Sequence, residues 1–279
     1  VQVISYIANK MKNNATTEQL IQFAKGVLSL HQGGAVGDVN PVWCIAKVQL
    51  EWRVAVELSQ DPIGLQEILN KEDTHTKNQQ ALFLPSRLIA KIFLFRTIFR
   101  GSGFSFANDP DFMHVSTSAK YWDEANEKFY KKYEGLDSKH KEWAQLVLEG
   151  QPIVSPLGRQ WPIKMGTDYK GNLQIPWTIL SNYPVQGTGA DVMTIARVSF
   201  MNRLKKLKLD SVKLVSSVHD SIVVDSPAKH LQIVTQLFHD VFRDLQANIK
   251  KLFGYEWKVP LACEVKAGLD MKNMSLVLL

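Results

Sequence analysis

The stretch KLVSSVHDSIVVD, Lys213–Asp225, decides the fold. Apolar Leu214, Val215 and Val218 lead up to His219, and Ile222–Val224 lead away again. Two strands meeting at His219–Asp220 form a hairpin. A hairpin tip holds a carboxylate rigidly at a sheet edge, where a divalent cation is fixed by hard oxygen ligands. A turn Asp beside a His is the plainer alternative. Working outward, Val42–Val48 is a short apolar run with β-branched residues, and Lys258–Lys266 reads as a final strand. Helical patterns separate these strands: Gln19–Leu30, Leu50–Ser59, Pro85–Phe99, Ser118–Tyr133, Gly187–Leu207 and Gln232–Phe253. Pro85 and Ser86 open the third of these, and Gly101 and Gly103 follow its end. Gln32–Pro41 reads as a loop or linker. Gly150–Trp177 is hairpin material with turns at Gly166–Thr167 and Lys170–Gly171. Paired strands separated by long helices point to an α+β fold, an antiparallel sheet backed by helices.

The chain has 279 residues, enough for one large domain with an inserted subdomain. It is 45% hydrophobic and 22% charged, ordinary for a globular protein. No apolar run has the length of a membrane span, and no signal-peptide pattern opens the chain, so no membrane partner and a cytoplasmic setting are expected. The first residue is Val1, which fits a processed chain, a fragment or an absent start. Two cysteines are too few for a disulfide scaffold or a cysteine zinc site and fit a reducing compartment. A net charge of +6 suits a polyanionic partner, because each neutralised phosphate releases counterions.

Three further segments carry chemistry. In RLIAKIFLFRTIFRG, Arg87, Lys91, Phe95 and Phe99 recur every four residues and share one drifting helix face. Two cations followed by two aromatics suit a nucleotide, with the cations on the phosphates and a ring against base or sugar. A half-buried amphipathic helix with snorkelling cations is the alternative. In NYPVQGTGADVM, a Pro and two glycines precede a helix, and Asn182 and Gln186 have side chains that reach base edges, sugar or backbone. Local helix-start chemistry, with Thr188 and Asp191 as caps, is the other reading. In VQLEWR, a strand runs into a helix with Gln49, Glu51 and Arg53 alternating, which a surface strand edge would also explain.

Together and in this order, these segments resemble the motifs of family A DNA polymerases, the bacterial polymerase I group and its phage relatives. AKVQLEWR, Ala46–Arg53, is similar to motif A, D-x-S-Q-x-E-x-R, at Gln49, Glu51 and Arg53. Arg87, Lys91 and Phe95 match motif B, R-x-x-x-K-x-x-x-F-x-x-x-Y-G, with Phe99 for its Tyr and Arg100 before Gly101. Asn182, Pro184, Gln186, Gly187, Thr188, Ala190 and Asp191 match N-x-P-x-Q-G-T-x-A-D. His219, Asp220 and Ser221 stand at motif C, His-Asp-Glu, and Asp73 and His75 at the Asp-x-His ahead of motif B. Gly268–Met274 resembles the closing G-x-x-W-x-x-M, with Met271 for Trp. The short interval from His75 to Arg87 looks like phage members.

The resemblance implies a right-hand polymerase: an antiparallel palm sheet backed by helices, with inserted helical fingers. Residues 42–60 would be palm with motif A, 61–150 fingers with motif B, and 151–279 palm with motif C. Residues 1–41 would be a thumb remnant or linker. The implied reaction is template-directed DNA synthesis, in which a primer 3′-hydroxyl attacks a dNTP with two divalent ions, Mg²⁺ or else Mn²⁺. Asp220 would be one carboxylate ligand, with the Lys47 carbonyl beside it, and Lys91 would protonate pyrophosphate. Arg87, Lys91 and His75 would grip the triphosphate, and Phe95 would pack on the sugar. Phe99 would lie near the templating base, Glu51 would block a ribose 2′-hydroxyl, and Gln49 would line the nucleotide site. Asn182, Gln186, His219, Arg53 and Arg159 would meet primer–template DNA.

The resemblance has breaks. Ala46 stands where motif A has its aspartate, and Ser221 replaces the motif C glutamate. An Asp-to-Ala replacement that disables the enzyme is the first explanation, ahead of a natural variant. The family's T-G-R-L-S-S and Q-N-I-P segments, and any exonuclease domain, are missing before motif A. A separate N-terminal polypeptide carrying thumb and exonuclease would make good the loss; in a phage-encoded protein the setting would be the host cytoplasm. The rivals are a catalytically inactive polymerase-like DNA-binding protein, a structural module on a reused fold, and a single-subunit RNA polymerase. Phe95 opposes the last, because that class typically has Tyr there.

Overall fold

A computed structural model gives the fold and describes residues 41–168 and 170–278. The helix expected over Gln19–Leu30 and the linker up to residue 40 lie outside the described residues. The described chain forms two compact units, one of residues 41–47, 200–238 and 264–278, the other of residues 48–199 and 239–263.

The first unit is built on a five-stranded sheet. Its strands are β1 (Pro41–Lys47), β6 (Lys213–Val218), β7 (Ser221–Pro227), β8 (Glu264–Gly268) and β9 (Ser275–Leu276), in the order β6-β7-β1-β8-β9. Neighbours are antiparallel throughout. The hairpin expected around His219–Asp220 is present, because Val218 pairs with Ser221 and only those two residues form the loop. His219 sits at φ 52, the left-handed conformation that a tight hairpin turn asks of its first residue. Ile222, Val223 and Val224 are buried, so β7 reads as a continuous apolar run, as befits an inner strand. β1 is the central strand, with Cys44 and Ala46 fully buried. In this unit Phe200 and Phe238 stack with ring centroids 4.4 Å apart.

The second unit is mostly helical: α1 (Leu50–Ser59), α2 (Pro62–Leu69), α3 (Thr74–Ala81), α4 (Arg87–Thr97), α5 (Gly103–Ala107), α6 (Pro110–Met113), α7 (Ala119–Lys132) and α8 (Glu134–Leu148). Asp73 caps α3 through the His75 and Thr76 amides, Ser86 caps α4, and Ser118 caps α7. The core is aromatic. Phe93 of α4 lies 5.1 Å from Phe106 and 5.9 Å from Trp122, and Phe112 lies 5.1 Å from Trp122, all fully buried. Truncating any one of these rings to Ala costs roughly 3–5 kcal/mol.

Several expected boundaries move. The helix expected from Gly187 instead begins at Trp177 and runs to Lys206 as α9, with Pro184 inside it. Pro and glycines usually mark a helix start, but here the helix has already made its first turn before them. Ser181 Oγ donates to the Trp177 carbonyl at 2.7 Å within that turn. Gly187 is needed because a Cβ there would meet the Trp161 ring at 2.4 Å. Gly166–Thr167 is not a turn but strand β4, paired with β5 (Leu173–Gln174); a second ribbon joins β2 (Ile153–Val154) to β3 (Gln160–Trp161). The helix expected over Gln232–Phe253 is two, α10 (Leu231–Arg243) and α11 (Leu245–Phe253), broken at Asp244. Lys258–Cys263 is not strand, because the Lys258 and Val259 amides donate to buried Glu57 Oε2 at 2.9 and 2.7 Å and leave nothing for a ladder.

Candidate functional site

In the first unit, the β1–β7 register brings motif A and motif C side by side. Ala46 faces Ile222 and Lys47 faces Ser221, so Asp220 lies one step beyond that pair. Cross-strand diagonal neighbours are about 7–8 Å apart, so Asp220 is well within reach of position 46. Ala46 is fully buried and presents only a methyl group, while Asp220 is half-buried and His219 exposed. Lys47 also faces Glu264 on β8.

In the second unit, Gln49, Arg53, His75, Arg87 and Phe95 line one cavity of about 300 Å³. These residues come from the start of α1, from α3 and from α4, far apart in sequence. Asp73 is the organiser. Its carboxylate caps α3 and takes a fork of two hydrogen bonds from Arg87, Nε to Oδ2 at 2.6 Å and Nη2 to Oδ1 at 3.1 Å. Arg87 holds the Asp73 carboxyl well below the usual carboxylate range. The His75 ring lies 5.9 Å from the Phe95 ring. Burial, then the Arg87 and Lys91 charges, push the His75 pKa down, so the ring is neutral near pH 7. Its Nδ1 is buried without a hydrogen-bond partner among the described residues, so the proton is cheapest on Nε2. Lys91 stands one turn beyond Arg87 and is exposed; it does not line the cavity. Phe99, past the end of α4, and half-buried Glu51 do not line it either. Arg53 Nη1 donates to the Pro260 carbonyl at 2.7 Å, and burial lowers its pKa.

Asn182 and Gln186 lie one turn apart on α9, half-buried and exposed. Arg159 forks onto Asp191 of the same helix, Nε to Oδ2 at 2.8 Å and Nη2 to Oδ1 at 2.5 Å, with about half of its side chain still exposed. Asp191 is therefore an ion-pair partner in mid-helix and not a cap.

The model of DNA polymerase family A matches residues 46–273. The chain belongs to DNA polymerase family A. Among family A relatives it is similar to DNA polymerase I of Caldicellulosiruptor bescii, 25% identical over 231 residues, covering 80% of this chain and 25% of that one. It is also similar to DNA polymerase I of Aquifex aeolicus, 24% identical over 228 residues, covering 75% and 38%. The chain thus spans between a quarter and about two fifths of the length of these relatives. Its fold is similar to the POL domain of Pol1 from M. smegmatis, solved in complex with DNA primer-template and dNTP. The TM-score is 0.67 at 17% identity, over 84% of this chain and 40% of that one. The α+β architecture is that of a family A palm-and-fingers region.

Two divalent ions are what the family resemblance asks for, and the residues present do not fit such a centre. Among the described residues no group of three His, Cys, Asp or Glu could hold a metal. Asp220 has only the Ala46 methyl group where a second carboxylate should stand. Among the described residues, no helix is long and apolar enough to cross a membrane.

Two features escaped the sequence reading. Asp73 was matched to the family pattern, but its hold on Arg87 was not foreseen; an acidic N-cap 14 residues before a motif arginine carries no local signal. Arg100 is the other. It pairs with Asp137 and donates to His140 Nδ1 at 3.0 Å, and its one visible trace is an arginine where the family has glycine after the motif B aromatic.

Proposed function

We propose that this chain is the palm-and-fingers part of a template-directed DNA polymerase that binds primer–template DNA and a dNTP, with nucleotidyl transfer disabled by Ala46. The observation that carries the reading is the single cavity lined by Gln49, Arg53, His75, Arg87 and Phe95. Five residues from three motifs meet at this cavity. Arg87 and Lys91 offer charge to phosphate oxygens, and the fork that Arg87 donates to Asp73 pre-orients its guanidinium. Neutral His75 offers an Nε2–H donor, and Phe95 a ring for the sugar. Glu51 stands at the start of α1 as the group that would exclude a ribose 2′-hydroxyl. Asn182, Gln186, His219 and Arg159 are the proposed contacts to the duplex.

Bound divalent ions would neutralise developing charge on the transferred phosphoryl group. With Ala46 the chain does not supply the ligand pair for that, so ground-state binding is what its own residues support. In this reading 42–60 and 151–279 form the palm and 61–150 the fingers. The second reading, a polymerase-like DNA-binding protein with no catalytic role, is favoured by the buried Ala46 methyl.

Equilibrium titration of labelled dNTP into the chain bound to primer–template tests the proposal. Binding of the templated nucleotide, lost in Arg87→Ala, is expected. Equal affinity of wild type and Arg87→Ala would overturn the cavity assignment.

A further inference from the structure

Arg100 breaks the motif B pattern where the backbone most favours glycine. It follows α4 at φ 59, the left-handed conformation that closes helices and strains any residue with a Cβ. The cap itself does not need an arginine. The Gly101 amide donates to the Arg96 carbonyl at 3.0 Å, Tyr130 Oη donates to the Thr97 carbonyl, and Asn126 Nδ2 donates to the Gly101 carbonyl at 2.9 Å. The arginine adds a cross-link. Its Nε donates to His140 Nδ1 at 3.0 Å and its Nη2 to Asp137 Oδ1 at 2.5 Å, both on α8. The guanidinium carbon lies 3.9 Å from the Tyr130 ring centroid on α7 and 5.0 Å from that of Trp177, the first residue of α9. One side chain thus joins the end of α4, with neighbouring Phe99, to the start of α9. Asn182 follows Trp177 by five residues, roughly 7.5 Å along the helix.

We propose that Arg100 is a positioning residue for nucleotide selection: it fixes the Phe99 end of α4 against α9, so that the nucleotide-facing and template-facing helices keep one spacing. This rests on the functional reading above, which sets α4 at the nucleotide and α9 at the duplex. The fork and the stacked plane are properties of guanidinium that lysine lacks. A glycine would relieve the backbone strain and lose the link. A lysine leaves the strain in place, so the two replacements differ at the backbone and act alike on the positioning.

The test measures affinity of templated and mismatched dNTPs for the chain on primer–template, in wild type, Arg100→Lys, Arg100→Gly and Asp137→Asn. The ratio of templated to mismatched affinity is expected to fall about tenfold in both Arg100 variants and part-way in Asp137→Asn, the size of coupling seen between contacting groups. Far-UV circular dichroism is expected to stay unchanged. A lowered melting temperature with an unchanged ratio would overturn the positioning role while leaving the polymerase reading intact. Failure of wild type to bind any dNTP would overturn both. Should Arg100→Gly not fold, Arg100→Lys and Asp137→Asn decide the matter.

Discussion

His140 makes the second unit acid-sensitive. The ring is fully buried, and its Nδ1 accepts from Arg100 Nε at 3.0 Å. That bond needs an unprotonated Nδ1. An imidazolium would set N–H against N–H beside a guanidinium. Burial, followed by the Arg100 charge, holds the His140 pKa down to about 3. The unfolded value is about 6.5, so the folded pKa is depressed. Stability from this group is fully present above about pH 6.5 and is lost as pH falls towards about 3, at about 1.4 kcal/mol per pH unit. Between pH 6.5 and 4.5 the loss is about 2.3 kcal/mol, a large share of the ~5–15 kcal/mol of a typical domain. Gln at this position offers an oxygen to Arg100 and does not titrate. Urea unfolding of wild type and His140→Gln, followed by tryptophan fluorescence at pH 7, 6.5, 5.5 and 4.5, isolates the effect, because His75 titrates in both proteins. The stability difference should change by about 2.5 kcal/mol in favour of the variant from pH 7 to 4.5. Parallel curves, with a difference constant to within about 0.5 kcal/mol, would refute the reasoning.

Two other outcomes follow from the same structure. Gly187→Ala places a methyl 2.4 Å from the rigid Trp161 ring, so thermal unfolding should show a loss of roughly 1–3 kcal/mol with the chain still folded. Primer–template affinity should fall linearly on a log–log plot as salt rises, with Arg159→Ala flattening the slope by about one unit or less given its ion pair with Asp191; a flat wild-type plot would count against phosphate contacts.

The hairpin at His219–Asp220 was legible because apolar, β-branched runs on both sides leave His219 and Asp220 between them for the turn. α4 was legible because a Pro-Ser start and glycine stop frame an i, i+4 face. The helix run 232–253 looked continuous because the apolar period passes through Asp244 unbroken; what divides it is a backbone change at one residue. The missing strand at 258–263 depends on Glu57, two hundred residues earlier in the chain, taking two amides. The common helix face of Arg87 and Phe95 was legible from their spacing. The sharing of one cavity by Gln49, Arg53 and His75 was not, since it is produced by packing α1, α3 and α4 together. The Arg100–His140 bond spans forty residues and leaves no periodic trace.

In the proposed reading, the carboxylate missing at position 46 is what keeps this chain from nucleotidyl transfer. Position 46 pairs with Ile222, two residues from Asp220, so Ala46→Asp places a second carboxylate on the same sheet face. Two carboxylates there repel and the new one is partly desolvated, so the variant should be stabilised by a divalent cation. The measurement is single-nucleotide primer extension by wild type and Ala46→Asp, with Mg²⁺ or Mn²⁺. The account predicts incorporation of the templated nucleotide by Ala46→Asp at a rate several orders of magnitude above wild type. Folded Ala46→Asp that binds primer–template yet adds no nucleotide with either ion would contradict it.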